Sequence, residues 1–270
     1  MRINTNLNAM IATNQMSKNT ALAGSSMEKL STGLRITKAG DDAAGLAVSE
    51  KMRAQIRGME QAERNVQDGI SMVQTAEGAL EEAGNIAQRM RELGVQAGND
   101  TLSDDDRTKV KEELTQLQDE MKNISEETKF NGKQLLNTAG TFTIQAGANS
   151  ETRTITTADL SGIANNLSLT STNISNASEA QSFVKKVDVA LESINAARSA
   201  LGSMQNRLEY TANNLTTSTE NLTAAESRIR DVDVAKEMVT LSKLNILNQA
   251  SQAMVSQAKQ QPESVSQLLR

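Results

Sequence analysis

The sequence predicts an all-α protein with a small β-hairpin, built as a long antiparallel coiled-coil-like helical bundle. Three observations support this fold class. Apolar residues recur every seven positions over long stretches, which is typical of a coiled-coil seam. The only proline is Pro262, so nothing before it obliges a helix to break. The 270 residues include only three Phe, one Tyr and no Trp, so aliphatic side chains, Met and Ala must fill the core.

The N-terminal segment, residues 1–42, is predicted to form a helix of modest stability. Residues 1–27 carry only two charges, and the apolar stripe is weak. The C-terminal segment, residues 231–270, has the same character, with few charges and many Asn, Gln, Ser and Ala. Helices of this composition are poorly stable alone. We therefore expect both segments to become helical when they pack against many copies of themselves. Their stripes comprise Met16, Ala23, Met27, Leu30 and Leu34 at the front, and Leu247, Ala250, Met254, Ala258, Val265 and Leu268 at the back.

Residues 43–137 are predicted to contain two long helices. The first has a seam that alternates spacings of four and three, with Glu63 and Glu77 at two skipped core positions. We expect these two side chains to lean outward while Ala62 and Ala76 fill the core. The second helix begins after Ser103, an N-cap followed by acidic residues that complement the helix dipole. The seam of the first helix comprises Met52, Ile56, Met59, Val66, Ile70, Val73 and Leu80.

Residues 138–176 differ in composition, because 19 of these 39 residues are Ser, Thr or Asn. Residues 141–145 and 153–156 alternate with period two across a short turn, which predicts a hairpin at the surface, with disorder as the alternative. Residues 177–230 are predicted to form one long helix. Its seam has a spacing of seven throughout: Val187, Ile194, Leu201, Leu208, Leu215, Leu222 and Ile229.

Composition also limits the function. The chain has no His and no Cys, so the usual general base and the thiolate nucleophile are missing. The acidic runs lack the alternating oxygens of a calcium loop, and residues 40–46 lack the Gly-Lys-Ser/Thr ending of a phosphate loop. We therefore expect no enzymatic activity, no metal and no cofactor. A net charge of −5 argues against nucleic acid, and no apolar run approaches the roughly 18 residues that span a bilayer, so no membrane partner is expected.

Several long strings resemble the bacterial flagellins, the family of flagellar filament subunits. At the N-terminal side these are MRINTNLNAM, MEKLSTGLRITKAGDDAAGLAVSEKMRAQIRG, VQDGISMVQTAEGAL and QRMRELGVQAGN. At the C-terminal side they are MQNRLEYTANNLTTSTENLTAAESRIRDVDVAKEM and ILNQASQAMVSQAKQQPESVSQLLR. The resemblance covers about residues 1–137 and 177–270.

The resemblance implies a structural subunit that polymerises with itself into the tubular filament used for swimming. It implies a D0 domain in which the N- and C-terminal helices of residues 1–42 and 231–270 pair, and a D1 domain from residues 43–137 and 177–230, with the hairpin segment 138–176 at the surface. It further implies export through the flagellar type III apparatus to an extracellular filament, with the export chaperone, the filament cap and the hook-junction proteins as partners.

The resemblance also implies specific recognition residues. The animal Toll-like receptor that senses flagellin reads a D1 surface matching Arg89, Leu93 and Gln96, with Glu113 on the neighbouring helix. The alternative is that Leu93 belongs to the bundle seam while Arg89 contacts an adjacent subunit. Gly94 stands where the family often has Ala, so reduced local helix stability is expected. Residues Leu268, Leu269 and Arg270 match the C-terminal end of D0, which in this family takes part in assembly and is sensed by cytosolic innate receptors.

Two alternative functions remain open at this point. The hook-filament junction protein shares the terminal helices, although the strength of the D1 strings favours a filament subunit. A chemoreceptor-like signalling rod would also be rich in Ala, Ser, Gln and heptads. That hypothesis explains neither the paired ends nor the hairpin.

Overall fold

The computed structural model describes residues 6–167 and 174–268, the last eight of these by their helical backbone. Within these ranges the chain is mostly helical, as predicted, with two small antiparallel hairpins. The helices are α1 (Leu7–Thr32), α2 (Ala43–Ala97), α3 (Asp104–Glu127), α4 (Leu160–Asn166), α5 (Ala177–Arg230) and α6 (Val234–Leu268), and the strands are β1 (Lys129–Phe130), β2 (Lys133–Gln134), β3 (Thr141–Gln145) and β4 (Thr152–Thr156).

The chain divides into two compact units. The first combines the chain up to Ala54 with the chain from Asn221 onward, and the second is Gln55–Glu220. Both ends of the sequence therefore belong to one unit, while helices α2 and α5 contribute residues to each.

The core of the second unit is the antiparallel seam between α2 and α5. Two cross-helix contacts fix the register: Thr216 Oγ1 lies 3.3 Å from Glu63 Oε1, and Arg91 Nε donates to Asp188 Oδ1 at 2.7 Å. The predicted heptad ladder is confirmed, because its members in this unit are all buried. Ala62 and Ala76 are also buried while Glu63 and Glu77 are half-buried, as expected. The buried ladder residues are Val187, Ile194, Leu201, Leu208 and Leu215.

Helix α3 begins where the sequence predicts. Ser103 is its N-cap: the Ser103 Oγ accepts the backbone N–H of Asp106 at 3.3 Å and donates to the Asp106 carboxylate at 2.7 Å. The hydroxyl bond is the main reason that the pKa of Asp106 lies below its ordinary value. The helix buries Val110, Leu114 and Met121, which lie on one face at spacings of four and seven.

The hairpin β3–β4 docks on α2 at positions without bulky side chains. Phe142 pairs with Ile155 and Thr143 with Thr154, within the two segments that the sequence predicts as a hairpin. A Cβ added at Gly69 would lie 2.1 Å from Ile144 Cδ1, and one at Gly58 would lie 2.9 Å from the Cβ of Ala148 in the hairpin turn. Between these glycines, the side-chain amide of Asn65 donates to the carbonyl of Gln145. The two glycines therefore let the hairpin approach the helix backbone closely.

The second hairpin, β1–β2, is not predicted from the sequence. Asn131 and Gly132 connect its strands with φ of 48° and 77°. Both values are positive, which is the geometry of a type I′ turn and explains the Asn-Gly pair. The strands have only two residues each, too few for alternation to show in the sequence.

The first unit contains the antiparallel pair of α1 and α6. Asn6 is the N-cap of α1, and its Nδ2 also donates to the carbonyl of Ala258 at 2.5 Å. Nearer the other end, Thr20 Oγ1 lies 3.4 Å from Asn248 Oδ1. Helix α1 ends at Gly33, whose φ of 72° forms a left-handed C-cap. The paired terminal helices of the predicted fold are therefore present.

Candidate assembly surfaces

The contact face of the α1–α6 pair buries few side chains, and most of them are small or polar. Among the described residues of the pair, the buried ones are Asn19, Ala23 and Ser26 on α1 and Leu244 on α6, while Met16, Leu30, Leu241 and Val255 are half-buried. Small residues let the two backbones approach each other but exclude little apolar surface from water. The apolar stripes divide between this contact and the solvent, because Met16 and Leu30 are half-buried whereas Met27 and Met254 are exposed.

The outward faces of the same pair carry many large apolar side chains. A helix pair can bury only one face of each helix, so stripes that point elsewhere stay in solvent. Large exposed apolar patches mark interaction sites on soluble proteins, and most of the exposed large apolar side chains among the described residues lie on this helix pair. The exposed residues are Leu7, Met10, Ile11, Leu22 and Met27 on α1, and Val234, Met238, Val239, Ile246, Leu247 and Met254 on α6.

Two shallow grooves lie within this apolar surface. One follows α6 and is lined by Met238, Val239, Ile246 and Leu247, with Lys243 at its edge. The other lies between α1 and α6, where Ile11 and Met254 share it with Asn8, Gln15 and Ser251. Side chains of a second molecule could fill both grooves, since they are open to solvent and mainly apolar.

A second exposed surface surrounds Arg89 in the second unit. Arg89 Nε and Nη2 both donate to Glu113 Oε1 of α3, at 3.2 and 3.0 Å, and Nη1 donates to Glu92 at 3.0 Å. The hydrogen bond to Glu113, followed by the one to Glu92, raises the pKa of Arg89. The Arg89 and Glu113 side chains are about half exposed, so their hydrogen bonds fix the guanidinium while leaving it available to another molecule. The structure thus brings Arg89 and Glu113 together.

The other sequence-predicted residues near Arg89 divide between core and surface. Leu93 is only 2% exposed and lies in the seam, whereas Gln96 is exposed. Between them, Gly94 lies against α5, because a Cβ there would be 2.9 Å from Val184 Cγ2 and 3.1 Å from Phe183 Cδ1. The glycine therefore makes room for the buried Phe183 ring.

The predicted C-terminal site lies largely outside the described residues. Leu268 is the last residue of α6 and is described by its backbone alone, and Leu269 and Arg270 lie beyond the described part of the chain.

The first unit contains a junction that the sequence does not predict. The backbone N–H of Arg35 donates to the carbonyl of Arg230 at 2.6 Å, and that of Val232 donates to Gly33 at 3.0 Å, so the segment after α1 pairs with the segment after α5. The nearly buried Arg230 guanidinium also donates to the Glu50 carboxylate. The sequence shows only that these segments follow two long helices. Residue spacing does not reveal that two segments about 200 residues apart pair with each other.

Arg107 is a second residue that the sequence analysis missed. Its side chain is 9% exposed, and its Nη2 donates to the carbonyl of Asn99 at 3.1 Å and to the Asp100 carboxylate at 3.3 Å. Its Nη1 reaches the carbonyl of Ser175 at 3.5 Å. Arg107 therefore ties the turn between α2 and α3 to the segment that precedes α5.

These surfaces are suited to contacts between proteins rather than to chemistry on a small molecule. Among the described residues, no group of three or more acidic side chains could hold a metal ion. No helix in the described ranges is both long enough and apolar enough to cross a bilayer. The molecule is a helical structural protein that exposes large apolar side chains on its paired terminal helices.

Comparison with known proteins identifies the family. Residues 3–141 match the bacterial flagellin N-terminal helical region, and residues 184–269 match the bacterial flagellin C-terminal helical region. The chain is 53% identical to flagellin of Halalkalibacterium halodurans and 49% identical to flagellin of Bacillus subtilis, with full coverage of all three chains. This chain belongs to the bacterial flagellin family.

Solved structures agree with this assignment. The crystal structure of Bacillus cereus flagellin is 34% identical, has a TM-score of 0.52, and matches 60% of this chain and 94% of its own. A putative flagellar hook-associated protein from Vibrio parahaemolyticus has a TM-score of 0.59, and the match covers 71% of this chain and all of that one. At 12% identity this second likeness shows the fold alone, so it does not favour the junction-protein alternative.

The prediction of a structural, non-enzymatic function is confirmed by this family. The chain is a structural subunit of the flagellar filament. Nothing in these comparisons favours a chemoreceptor-like signalling rod.

Proposed function

We propose that the outward apolar faces of α1 and α6 drive polymerisation into the tubular filament. In this proposal residues 1–42 and 231–270 form the D0 domain that lines the central channel. Residues 43–137 and 177–230 form the surrounding D1 domain, and residues 138–176 lie on the filament surface. The observation that carries the proposal is the concentration of exposed large apolar side chains on the terminal helix pair. Burial against neighbouring copies would remove this surface from water and stabilise the polymer.

The decisive experiment is seeded polymerisation, followed by electron microscopy and by measurement of the critical concentration. The test substitution is Ile246→Asp, because Ile246 is 66% exposed and lines the α6 groove. Fully burying an Ile side chain contributes about 1.5–3 kcal/mol, so this position contributes about 1–2 kcal/mol to each subunit addition. An unpaired buried carboxylate adds a further cost. We expect the critical concentration to rise by about tenfold or more.

The matched control is Ile246→Leu, which keeps an apolar side chain of the same volume and should polymerise like the native chain. Thermal unfolding of both monomers should be unchanged because position 246 is exposed. Soluble native oligomers in place of filaments would contradict the proposal, and so would native-like assembly of the Asp variant.

We further propose that the chain leaves the cell unfolded through the flagellar type III apparatus, held by an export chaperone, and assembles beneath the filament cap next to the hook-junction proteins. The α1–α6 contact supports this, because Ala23 and Leu244 are the only buried apolar residues among the described part of the pair, and a contact with so few opens easily in the monomer. Mild proteolysis of the monomer should trim both ends and leave a core near residues 45–230. Equal protection of the termini would contradict a loosely held pair.

The Arg89 surface is proposed to contact the adjacent subunit in a protofilament and to be read by the animal Toll-like receptor. The exposure of Arg89 and Gln96 beside Glu113 supports this, and Leu93 would act by holding the helix in place. Arg89→Ala should weaken binding to the receptor ectodomain at least tenfold, the factor that corresponds to about 1.4 kcal/mol. The control Arg64→Ala removes an exposed Arg elsewhere on α2. Equal binding by both variants would exclude Arg89 from the site.

The C-terminal residues Leu268, Leu269 and Arg270 are proposed to contribute to assembly and to sensing by cytosolic innate receptors. Deletion of these three residues should lower both polymerisation and receptor activation while leaving thermal unfolding of the monomer unchanged. Native polymerisation and activation by the deleted chain would contradict this assignment.

A further inference from the structure

The methionines are distributed unequally between the two units. Four methionines with about half of their surface exposed lie on α1 and α6. In the second unit, Met90 and Met121 are completely buried, Met59 and Met72 are nearly so, and Met204 is half-buried. The exposed set comprises Met10 (50%), Met27 (57%), Met238 (51%) and Met254 (59%).

Methionine is also the main oxidisable side chain of this protein. The chain has no Cys and no Trp, so the 12 Met provide all of its sulfur. Oxidation of Met to the sulfoxide converts a flexible apolar side chain into a polar one, and specific reductases reverse it. Met oxidation therefore disrupts Met-rich interfaces.

We infer that the four exposed methionines of α1 and α6 form a reversible oxidation site that blocks self-assembly of the free subunit. This inference rests on the proposed function, since the sulfoxides act by lying in the surface that would be buried between copies. Met238 lines the groove along α6, and Met254 lines the groove between α1 and α6. A sulfinyl oxygen at either place would have to be desolvated during assembly, which is unfavourable without a hydrogen-bond donor.

The oxidant is a peroxide, and the reaction is balanced without a cofactor. The thioether sulfur attacks one oxygen of hydrogen peroxide, the O–O bond breaks, and a sulfur–oxygen bond forms. The sulfur loses two electrons, and the second peroxide oxygen leaves as water with both protons. Burial in the filament shields the same four sulfur atoms, so a subunit is sensitive before assembly and resistant after it.

The first measurement is peptide mass mapping of the native monomer after brief exposure to hydrogen peroxide. Met10, Met27, Met238 and Met254 should gain oxygen at least about tenfold faster than Met90 and Met121, because oxidation requires access of the peroxide to the sulfur. Equal rates at exposed and buried positions would overturn the site assignment.

The second measurement is seeded polymerisation of the oxidised monomer. Its critical concentration should rise by at least about tenfold, the factor that corresponds to about 1.4 kcal/mol, and methionine sulfoxide reductases should restore it. The variant that combines Met10→Leu, Met27→Leu, Met238→Leu and Met254→Leu should assemble normally both before and after peroxide. The matched control, Met59→Leu with Met72→Leu, should assemble normally and stay peroxide-sensitive.

The outcomes separate this inference from the proposed function. If the untreated native chain forms no filament, the proposed function fails, and the assembly switch fails with it. If untreated and oxidised native chains polymerise equally, the inference alone is overturned. It is also overturned if the fourfold Leu variant remains as sensitive to peroxide as the native chain.

Discussion

Gly94 offers a sharp test of the seam between α2 and α5. A glycine inside a helix destabilises it by about 0.8–1.0 kcal/mol relative to Ala, so Gly94→Ala should stabilise the protein if propensity alone decides. The packing opposes this gain. The new Cβ would lie 2.9 Å from Val184 Cγ2 and 3.1 Å from Phe183 Cδ1, which is closer than nearly all real contacts.

Comparing these two effects predicts whether Gly94→Ala raises or lowers the free energy of unfolding. Forcing an extra methyl group into a packed core costs about 1–3 kcal/mol, which exceeds the gain in helix propensity. We therefore expect Gly94→Ala to lower the free energy of unfolding by about 1 kcal/mol. In a background carrying Phe183→Leu and Val184→Ala, both close contacts are gone. There the same substitution should raise the free energy of unfolding by about 1 kcal/mol, which gives a coupling energy of about 2 kcal/mol.

Urea unfolding of the monomers, followed by circular dichroism, measures these differences. Gly78→Ala is the matched control, since Gly78 is an exposed residue of the same helix and an added Cβ would meet nothing within 4 Å. It should stabilise both backgrounds by about 1 kcal/mol. If Gly94→Ala stabilises the native chain as much as Gly78→Ala does, the packing argument is refuted.

Three further predictions concern stability. Ser103→Ala should lower the free energy of unfolding by about 1 kcal/mol through loss of the N-cap, whereas Ser193→Ala, on the exposed face of α5, should change it by less than about 0.5 kcal/mol in the same urea assay. Leu114→Ala should cost about 2–5 kcal/mol by leaving a cavity in a fully buried site, again read by urea unfolding. Backbone N–H groups of Lys38 and Thr37, with the Thr37 hydroxyl, lower the pKa of Asp41 below its ordinary 3.8. The stability that the ionised Asp41 carboxylate gives the folded state is present above pH 3.8 and is lost as the pH falls through the lower pKa of the folded state. An NMR titration should therefore place the midpoint of Asp41 below pH 3.8. Asp41→Asn should remove the acid dependence of the 37–41 turn.

Elements with long sequence periodicity were predictable. The heptad ladder of α5 and the Ser103 cap of α3 each rest on local spacing, and local spacing decides which side of a long helix is apolar. The β3–β4 hairpin was predictable because five-residue strands show alternation.

Features that depend on distant partners were not predictable. Neither segment alone shows a sequence pattern that predicts the pairing of Gly33–Arg35 with Arg230–Val232. The role of Gly94 becomes visible only once Phe183 is placed against it. The apolar stripes of α1 and α6 were identified correctly as stripes, but spacing does not say whether a stripe faces a helix of the same chain or lies exposed. The candidate site at Arg89 was predicted from family resemblance, and the structure adds the hydrogen bonds to Glu113 and Glu92 that hold its guanidinium.

The contact between Asn6 and Ala258 joins residues 252 positions apart in the sequence. Closing so large a loop in an unfolded chain carries an entropic cost, and the α1–α6 contact buries few apolar side chains that would offset it. Prior pairing of α2 with α5 shortens the effective loop, so folding of the second unit should precede that of the first. Because α6 follows α1 to α5 in the chain, α1 lacks its partner helix until α6 has emerged, whether during synthesis or during the proposed export. The time at which the subunit acquires its paired terminal helices is thus set by the emergence of α6.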